Sequence, residues 1–200
     1  MTRAAIAVVE TGSANLASVL AAFGRLGLPA SPTRDPDVVR AAARVVLPGV
    51  GAFGDVMRQL AGDGVADALA ERCVAGQPLL AICLGLQVLT GGSEESPGVP
   101  GLGVLAGTIR RFPASCKVPQ LGWNQVAAPA GTGVVADGYA FFANSYYLDF
   151  ADAEWTPSWS SHGVGFVAAL QRGPQLACQF HPELSGAWGA ALLERWVASC

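Results

Sequence analysis

Along the first half of the chain, apolar positions alternate between continuous runs and helical spacing. Ala4 to Glu10 is a short apolar run that ends at TGSAN, small polar residues suited to a turn and a helix start. Leu16, Val19, Leu20, Phe23 and Leu26 then recur at helical spacing until Gly27 stops them. ARVVLPGVG (43–51) reads as a buried strand running into a glycine loop, and 55–75 as one or two helices interrupted near Gly62 to Gly64. A further buried strand, Pro78 to Ile82, leads at once into a helical pattern through Gln87, Val88 and Leu89. This alternation predicts βαβ units: an α/β fold with an open, mainly parallel sheet and helices on both faces.

From Gly107 to Phe180 the pattern changes. GTIRRF, GWNQVAA, YAFFANSYY, GFVAALQ and LACQF are short, aromatic or β-branched, and separated by turns. They predict an antiparallel extension of the sheet. A helix from Gly186 to Ala198 closes the chain, with Ser185 as its N-cap. No repeat, low-complexity tract or linker divides the sequence, so one domain over residues 1–200 is expected.

Composition narrows the classes. Hydrophobic residues make up 52% and charged residues 14%, which excludes a disordered chain. The 25 glycines and 13 prolines fit many short elements joined by tight turns, not a helical bundle. A net charge of −3 without a basic block speaks against nucleic acid as a partner. No apolar run approaches the roughly 18 residues of a membrane helix, and the first residues lack a signal-peptide layout. Five cysteines without CxxC spacing read as reduced thiols in a cytoplasmic setting, with no metal site.

Three segments could carry chemistry. In PLLAICLGLQVL (78–89) a buried strand ends at Cys83, and Gly85 lets the chain turn sharply into a helix. This is the sulfur counterpart of a nucleophile elbow, and a helix N-terminus behind Cys83 favours the thiolate. The Leu84 amide would face an oxyanion formed on a carbonyl attacked by Cys83. On this segment alone, a buried structural cysteine remains the commoner outcome. Cys73, Cys116, Cys178 and Cys200 lack such a setting. In LACQFHPELSG (176–186), His181 ends a strand and Glu183 follows across Pro182, as a base and its orienting carboxylate would; a solvated turn is the plain alternative. The other histidine, His162, has no nearby carboxylate and reads as a surface residue. In LPGVGAFGD (47–55) a glycine loop follows a strand without a GK[ST] ending, so it fits a second oxyanion donor better than a phosphate cradle.

Together these segments resemble class I glutamine amidotransferase domains, whose triad is Cys, His and Glu in that order. PGVGAFGD, CLGLQ, SEESPGVPGLGVL (93–105), KVPQLGWN (117–124), FFANSYY (141–147) and QFHPELSG (179–186) fall in the order of one subfamily, the glutaminase subunit of imidazole glycerol phosphate synthase in histidine biosynthesis. Relatives serving anthranilate, GMP or carbamoyl phosphate synthesis usually carry a histidine where this chain has Leu86. The resemblance implies one glutamine amidotransferase domain, L-glutamine as substrate, no cofactor, and a (β/α)8-barrel cyclase partner in a heterodimer. The partner would use the ammonia to make imidazole glycerol phosphate and aminoimidazole carboxamide ribotide. Carried over by motif, Cys83 is the nucleophile, His181 the base and acid, and Glu183 the orienting carboxylate. Gln87 and Glu95 match positions that hold the substrate's amino-acid end. Ser145 and Tyr146 match the backbone that holds its carboxylate. Gly49, Val50 and Gly51 border the substrate carbonyl and complete the oxyanion hole with Leu84, their glycines permitting a peptide flip.

The sequence departs from the subfamily pattern at Thr11 and Ala14 (DYGxGN there, ETGSAN here), Gln120 (PHMGWN), Asn144 (VHSY) and Leu184 (lysine after HPE). Several of these positions face the cyclase in the family. A paralogue feeding another synthase, a silent scaffold subunit, or a different cysteine hydrolase on the same scaffold are the competing readings. The intact Cys83, His181 and Glu183 weigh against the second, and Gln87, Glu95 and GWN against the third.

Overall fold

A computed structural model describes residues 5–12, 15–131 and 133–200. Strands β1 (Ile6–Val9), β2 (Ala30–Thr33), β3 (Arg44–Gly49), β4 (Leu79–Cys83), β9 (Thr156–Ser161), β10 (Gly165–Arg172) and β11 (Gln175–Cys178) form one sheet in the order β2-β1-β3-β4-β11-β10-β9. The five strands from β2 to β11 run parallel. β10 is antiparallel to both of its neighbours.

The period-2 alternation of these strands explains why the sheet is covered twice. Ile6, Val8, Val46, Leu80 and Ile82 point to one side, where they meet Val19 and Phe23 of α1 (Leu16–Arg25) and Leu192 and Trp196 of α6 (Gly186–Ala198). Ala7, Val9, Val45, Leu47, Leu79 and Ala81 point to the other, against α2 (Pro36–Ala41), α3 (Phe53–Gly62) and α4 (Val65–Val74). Each fully buried aliphatic or aromatic side chain here contributes about 1.5–3 kcal/mol of burial free energy. No helix of the described residues is long and apolar enough to cross a membrane.

The expected antiparallel extension of the sheet is present in part: GFVAALQ lies in β10, which pairs antiparallel with β9 and β11. Leu176, Ala177 and Cys178 of LACQF lie in β11, which is antiparallel to β10, as expected, and also parallel to β4 on its other side. GTIRRF and YAFFANSYY stay outside the sheet, and GWNQVAA meets its edge where Ala127 bridges Trp159 of β9. β5 (Arg110–Arg111) pairs with β8 (Tyr146–Tyr147), and β6 (Gln120–Val126) with β7 (Gly138–Asn144), as two separate ribbons. The β6–β7 ribbon buries Val126, Ala140 and Phe142 on one face and exposes Leu121, Trp123 and Tyr139 on the other. Three elements lay outside the apolar pattern. β2 is a polar edge strand, and β9 turns serines 158 and 160 inward. α2 is six residues long, capped by Asp35 accepting from the Asp37 amide at 2.9 Å with Pro36 in its first turn.

Candidate active site

Parallel strands open their carboxyl ends onto one edge, and the candidate chemistry collects there. Cys83 is the last residue of β4 and the first of the turn into α5 (Leu84–Val88). Its φ of 55° is the only positive value at a non-glycine among the described residues, a conformation that costs about 1–3 kcal/mol. Tight packing holds it. A Cβ on Gly85 would lie 2.1 Å from Leu47 O, and one on Gly49 would lie 2.9 Å from Leu84 Cβ, so the elbow rests directly on the end of β3. α5 begins at Leu84 with Cys83 at its N-cap, as expected, but is only five residues long. Side chains reach the sulfur as well.

One of them is His181, which follows β11 and starts the 3-10 turn Pro182–Leu184. Its Nδ1 lies 2.8 Å from Glu183 Oε1, and both side chains are buried. That pairing leaves the other ring nitrogen for Cys83. Burial alone disfavours the imidazolium, but hydrogen bonding to Cys83 and Glu183, and their charges, outweigh it and push His181 up to about 10. The backbone is braced on both sides: His181 N donates to Phe141 O at 2.9 Å, and Ser185 Oγ donates to His181 O at 2.6 Å. Ser185 holds the N-cap position of α6, but its side chain makes no cap hydrogen bond, because its hydroxyl bridges His181 O and the Phe141 amide.

A cavity of about 280 Å³ opens at this edge, at the small end for a ligand site and suited to an amino acid. Cys83, His181, Val50, Gly51, Leu84, Gln87, Glu95, Ser145 and Tyr146 border it, with Ala143 and Asn144 completing the wall. Two predicted residues stand behind this wall. Gly49 packs under Leu84, and Glu183 lies behind His181. Glu95 Oε2 accepts from the Phe53 amide at 2.7 Å, and Ser96 Oγ from the Gly54 amide at 3.0 Å, so this segment caps α3 where the 49–52 loop enters it. Gln87 Nε2 donates to Tyr146 O at 3.3 Å and to Gln179 Oε1 at 3.0 Å. Gln179, missed in the sequence, donates to Cys83 Sγ at 3.5 Å. Its sequence signal was its place at the head of QFHPELSG, two residues before His181.

The remaining thiols sit elsewhere. Burial pushes Cys73 up to about 11 and Cys178 well above the usual thiol value. His162 is half-buried, not a solvated surface residue: its Nε2 lies 2.7 Å from Lys117 O and its ring meets the Phe112 ring edge-on at 5.1 Å. It borders a larger cavity of about 580 Å³, with Gln120 and Trp123, that contains neither Cys83 nor a carboxylate. Of the departures from the family pattern, Gln120 and Asn144 are cross-strand partners, both buried. Thr11 is buried and donates to Pro48 O at 3.4 Å. Leu184 is 38% exposed. Ala14 lies outside the described residues.

A cysteine on a strained elbow, a buried histidine–carboxylate pair and an amino-acid-sized cavity at the carboxyl edge of a parallel sheet can carry out acyl transfer through a thioester. The family described as "Glutamine amidotransferase class-I" matches residues 8–200, and the chain belongs to it. It is 42% identical over 195 residues to "Imidazole glycerol phosphate synthase subunit HisH" of Moorella thermoacetica, covering 96% of this chain and 93% of that one. The proteins of the same name from Herpetosiphon aurantiacus and Methanothermobacter thermautotrophicus are 43% and 40% identical, each over 195 residues covering 96% of this chain and 93% and 97% of theirs. Among solved structures, a glutamine amidotransferase superposes with a TM-score of 0.76 at 21% identity, covering 96% of each chain. PurLQS from Thermotoga maritima gives 0.73 at 16%, covering 98% of each chain. These two structures speak for the fold.

Proposed function

We propose that this chain is the glutaminase subunit of imidazole glycerol phosphate synthase, hydrolysing glutamine to glutamate and ammonia and passing the ammonia to a barrel-shaped cyclase. The observation that carries this is the cavity in which Cys83 meets the His181–Glu183 pair beside Gln87 and Glu95. The Cys83 thiolate attacks the side-chain carboxamide carbon of glutamine. The oxyanion is held by the Leu84 amide and an amide of the 49–51 loop. His181 gives its proton to the departing nitrogen, and the C–N bond breaks to leave a thioester. His181 then takes a proton from water, which attacks the thioester; the C–S bond breaks, and glutamate leaves. Glu183 keeps the imidazole oriented and steadies its charged form throughout.

The cyclase would dock on the β6–β7 ribbon. Leu121 and Trp123 are 71% and 57% exposed, and Leu121 pairs across the ribbon with Ala143 in the cavity wall. An exposed apolar face leading to the mouth of a reaction cavity suits a partner that receives the product. Gln120, Asn144 and Leu184 favour one second reading, a paralogue serving another ammonia acceptor. Glutamine-dependent synthesis after mixing with a cyclase subunit decides between them. Complex formation with coupled turnover supports the first reading, and glutamine hydrolysis without binding to any cyclase supports the second.

A further inference from the structure

The polar chain behind the nucleophile starts at a backbone carbonyl, and that fixes its sense. Tyr146 O can only accept, so the Gln87 side-chain atom 3.3 Å away is Nε2. The same NH2 group reaches Gln179 Oε1 at 3.0 Å. With its oxygen turned to Gln87, Gln179 presents its own NH2 group to Cys83 Sγ at 3.5 Å. A glutamine amide is ordinarily ambiguous between oxygen and nitrogen, and here a single carbonyl settles two of them.

Nothing in the triad requires this residue, yet it is fully buried. An amide in an apolar interior is costly unless both ends are hydrogen-bonded, and both ends of Gln179 are. Its backbone is fixed as well. The pairing of Cys178 with Ile82 brings Gln179 level with Cys83, and Gln179 N donates to Ala168 O at 2.8 Å. Phe180, between Gln179 and His181, packs its ring against Phe142 and Trp188, while the two polar side chains meet the sulfur. A donor to the charged form of a group favours that form, and a neutral donor does so without competing with His181 for the proton.

We infer that Gln179 is a positioning residue for the nucleophile: its Nε2–H favours the Cys83 thiolate and holds the sulfur, and Gln87 sets the direction of that donor. This rests on Cys83 being the nucleophile. The test is the pH dependence of Cys83 alkylation by iodoacetamide, read by peptide mass spectrometry, in the full chain and in Gln179→Met and Gln179→Glu. Methionine keeps the length of the side chain and removes the donor. Glutamate keeps an acceptor toward Gln87 and sets a carboxylate oxygen against the sulfur. The midpoint is expected to rise by about one pH unit in Gln179→Met, a roughly tenfold loss of thiolate below it, and further in Gln179→Glu. Thermal melts run beside it separate packing from positioning. A lowered melting temperature with an unmoved midpoint in both variants overturns the inference. Should neither variant fold, Gln87→Met leaves Gln179 in place and frees its amide; a smaller rise supports the inference and an unmoved midpoint overturns it. Failure of the underlying reading looks different, because Cys83→Ala would then retain glutamine turnover.

Discussion

Replacing Gly85 by alanine sets one methyl group against the end of β3. The added Cβ would lie 2.1 Å from Leu47 O and 3.1 Å from its carbonyl carbon, where ordinary contact begins near 3.4 Å. Leu47 is fully buried in the sheet, so its carbonyl cannot swing aside, and α5 must lift by about 1 Å. Gly85 has no positive φ, so backbone preference is not the obstacle. Overpacking of this kind costs about 1–3 kcal/mol of stability. Lifting α5 also carries the Leu84 amide and the Cys83 sulfur about 1 Å from their working positions, which costs roughly a hundredfold in rate. The assay is kcat/KM for glutamine in the complex with a cyclase subunit, with thermal denaturation alongside. Gly24→Ala is the control, since it lies in α1 with nothing within 4 Å of its Cβ; it should gain up to about 0.5–1 kcal/mol and keep its turnover. Wild-type turnover in Gly85→Ala would refute the claim that this close approach places the nucleophile.

Cys83→Ala is expected to abolish glutamine hydrolysis while synthesis by the complex survives on added ammonia, measured as product formed with each nitrogen source. His181→Ala should lose about as much rate as Cys83→Ala, Glu183→Gln less, and His162→Ala little, because triad members act as a unit and His162 lies outside the cavity. His181 is held at about 10 against an ordinary 6.5, so the stability it adds is whole below about pH 6.5 and is lost as pH rises toward 10. Melting temperatures across that range should fall with a steeper slope in the wild type than in His181→Gln, and equal slopes would refute the charge assignment. The isolated chain should turn over glutamine slowly and the complex with acceptor bound faster, by up to about 10²–10³-fold if a loop amide at 49–51 completes the oxyanion hole only then; equal rates would refute that switch.

What the sequence disclosed was local. The β4 run, Cys83 and Gly85 stand within a few residues, so the elbow could be read from their order, as could His181 and Glu183 two residues apart. Gln179 could not be placed on Cys83, 96 residues away, without knowing that β11 lies beside β4. Strand pairing is non-local, so the antiparallel extension could be read from the run of short strands, but not that its innermost strand, β11, also pairs parallel with β4. The aromatic, β-branched composition of 120–147 marks strands but not their sheet; two-residue β5 and β8 and the one-faced β6–β7 ribbon follow from tertiary packing. β2 and α2 were hidden by polarity and shortness, although Asp35-Pro36 carried a cap signal. Ser185 was placed correctly but assigned the wrong work, since its hydroxyl braces His181 instead of the helix.

The central claim is that Cys83 attacks glutamine. Quenching the wild-type complex in acid during turnover and mapping the covalent glutamyl adduct by peptide mass spectrometry tests it most directly. The account predicts a thioester on the peptide containing Cys83, with Cys73, Cys116, Cys178 and Cys200 unmodified, and no adduct in Cys83→Ala. An adduct on another cysteine, or undiminished glutamine turnover in Cys83→Ala, would contradict it.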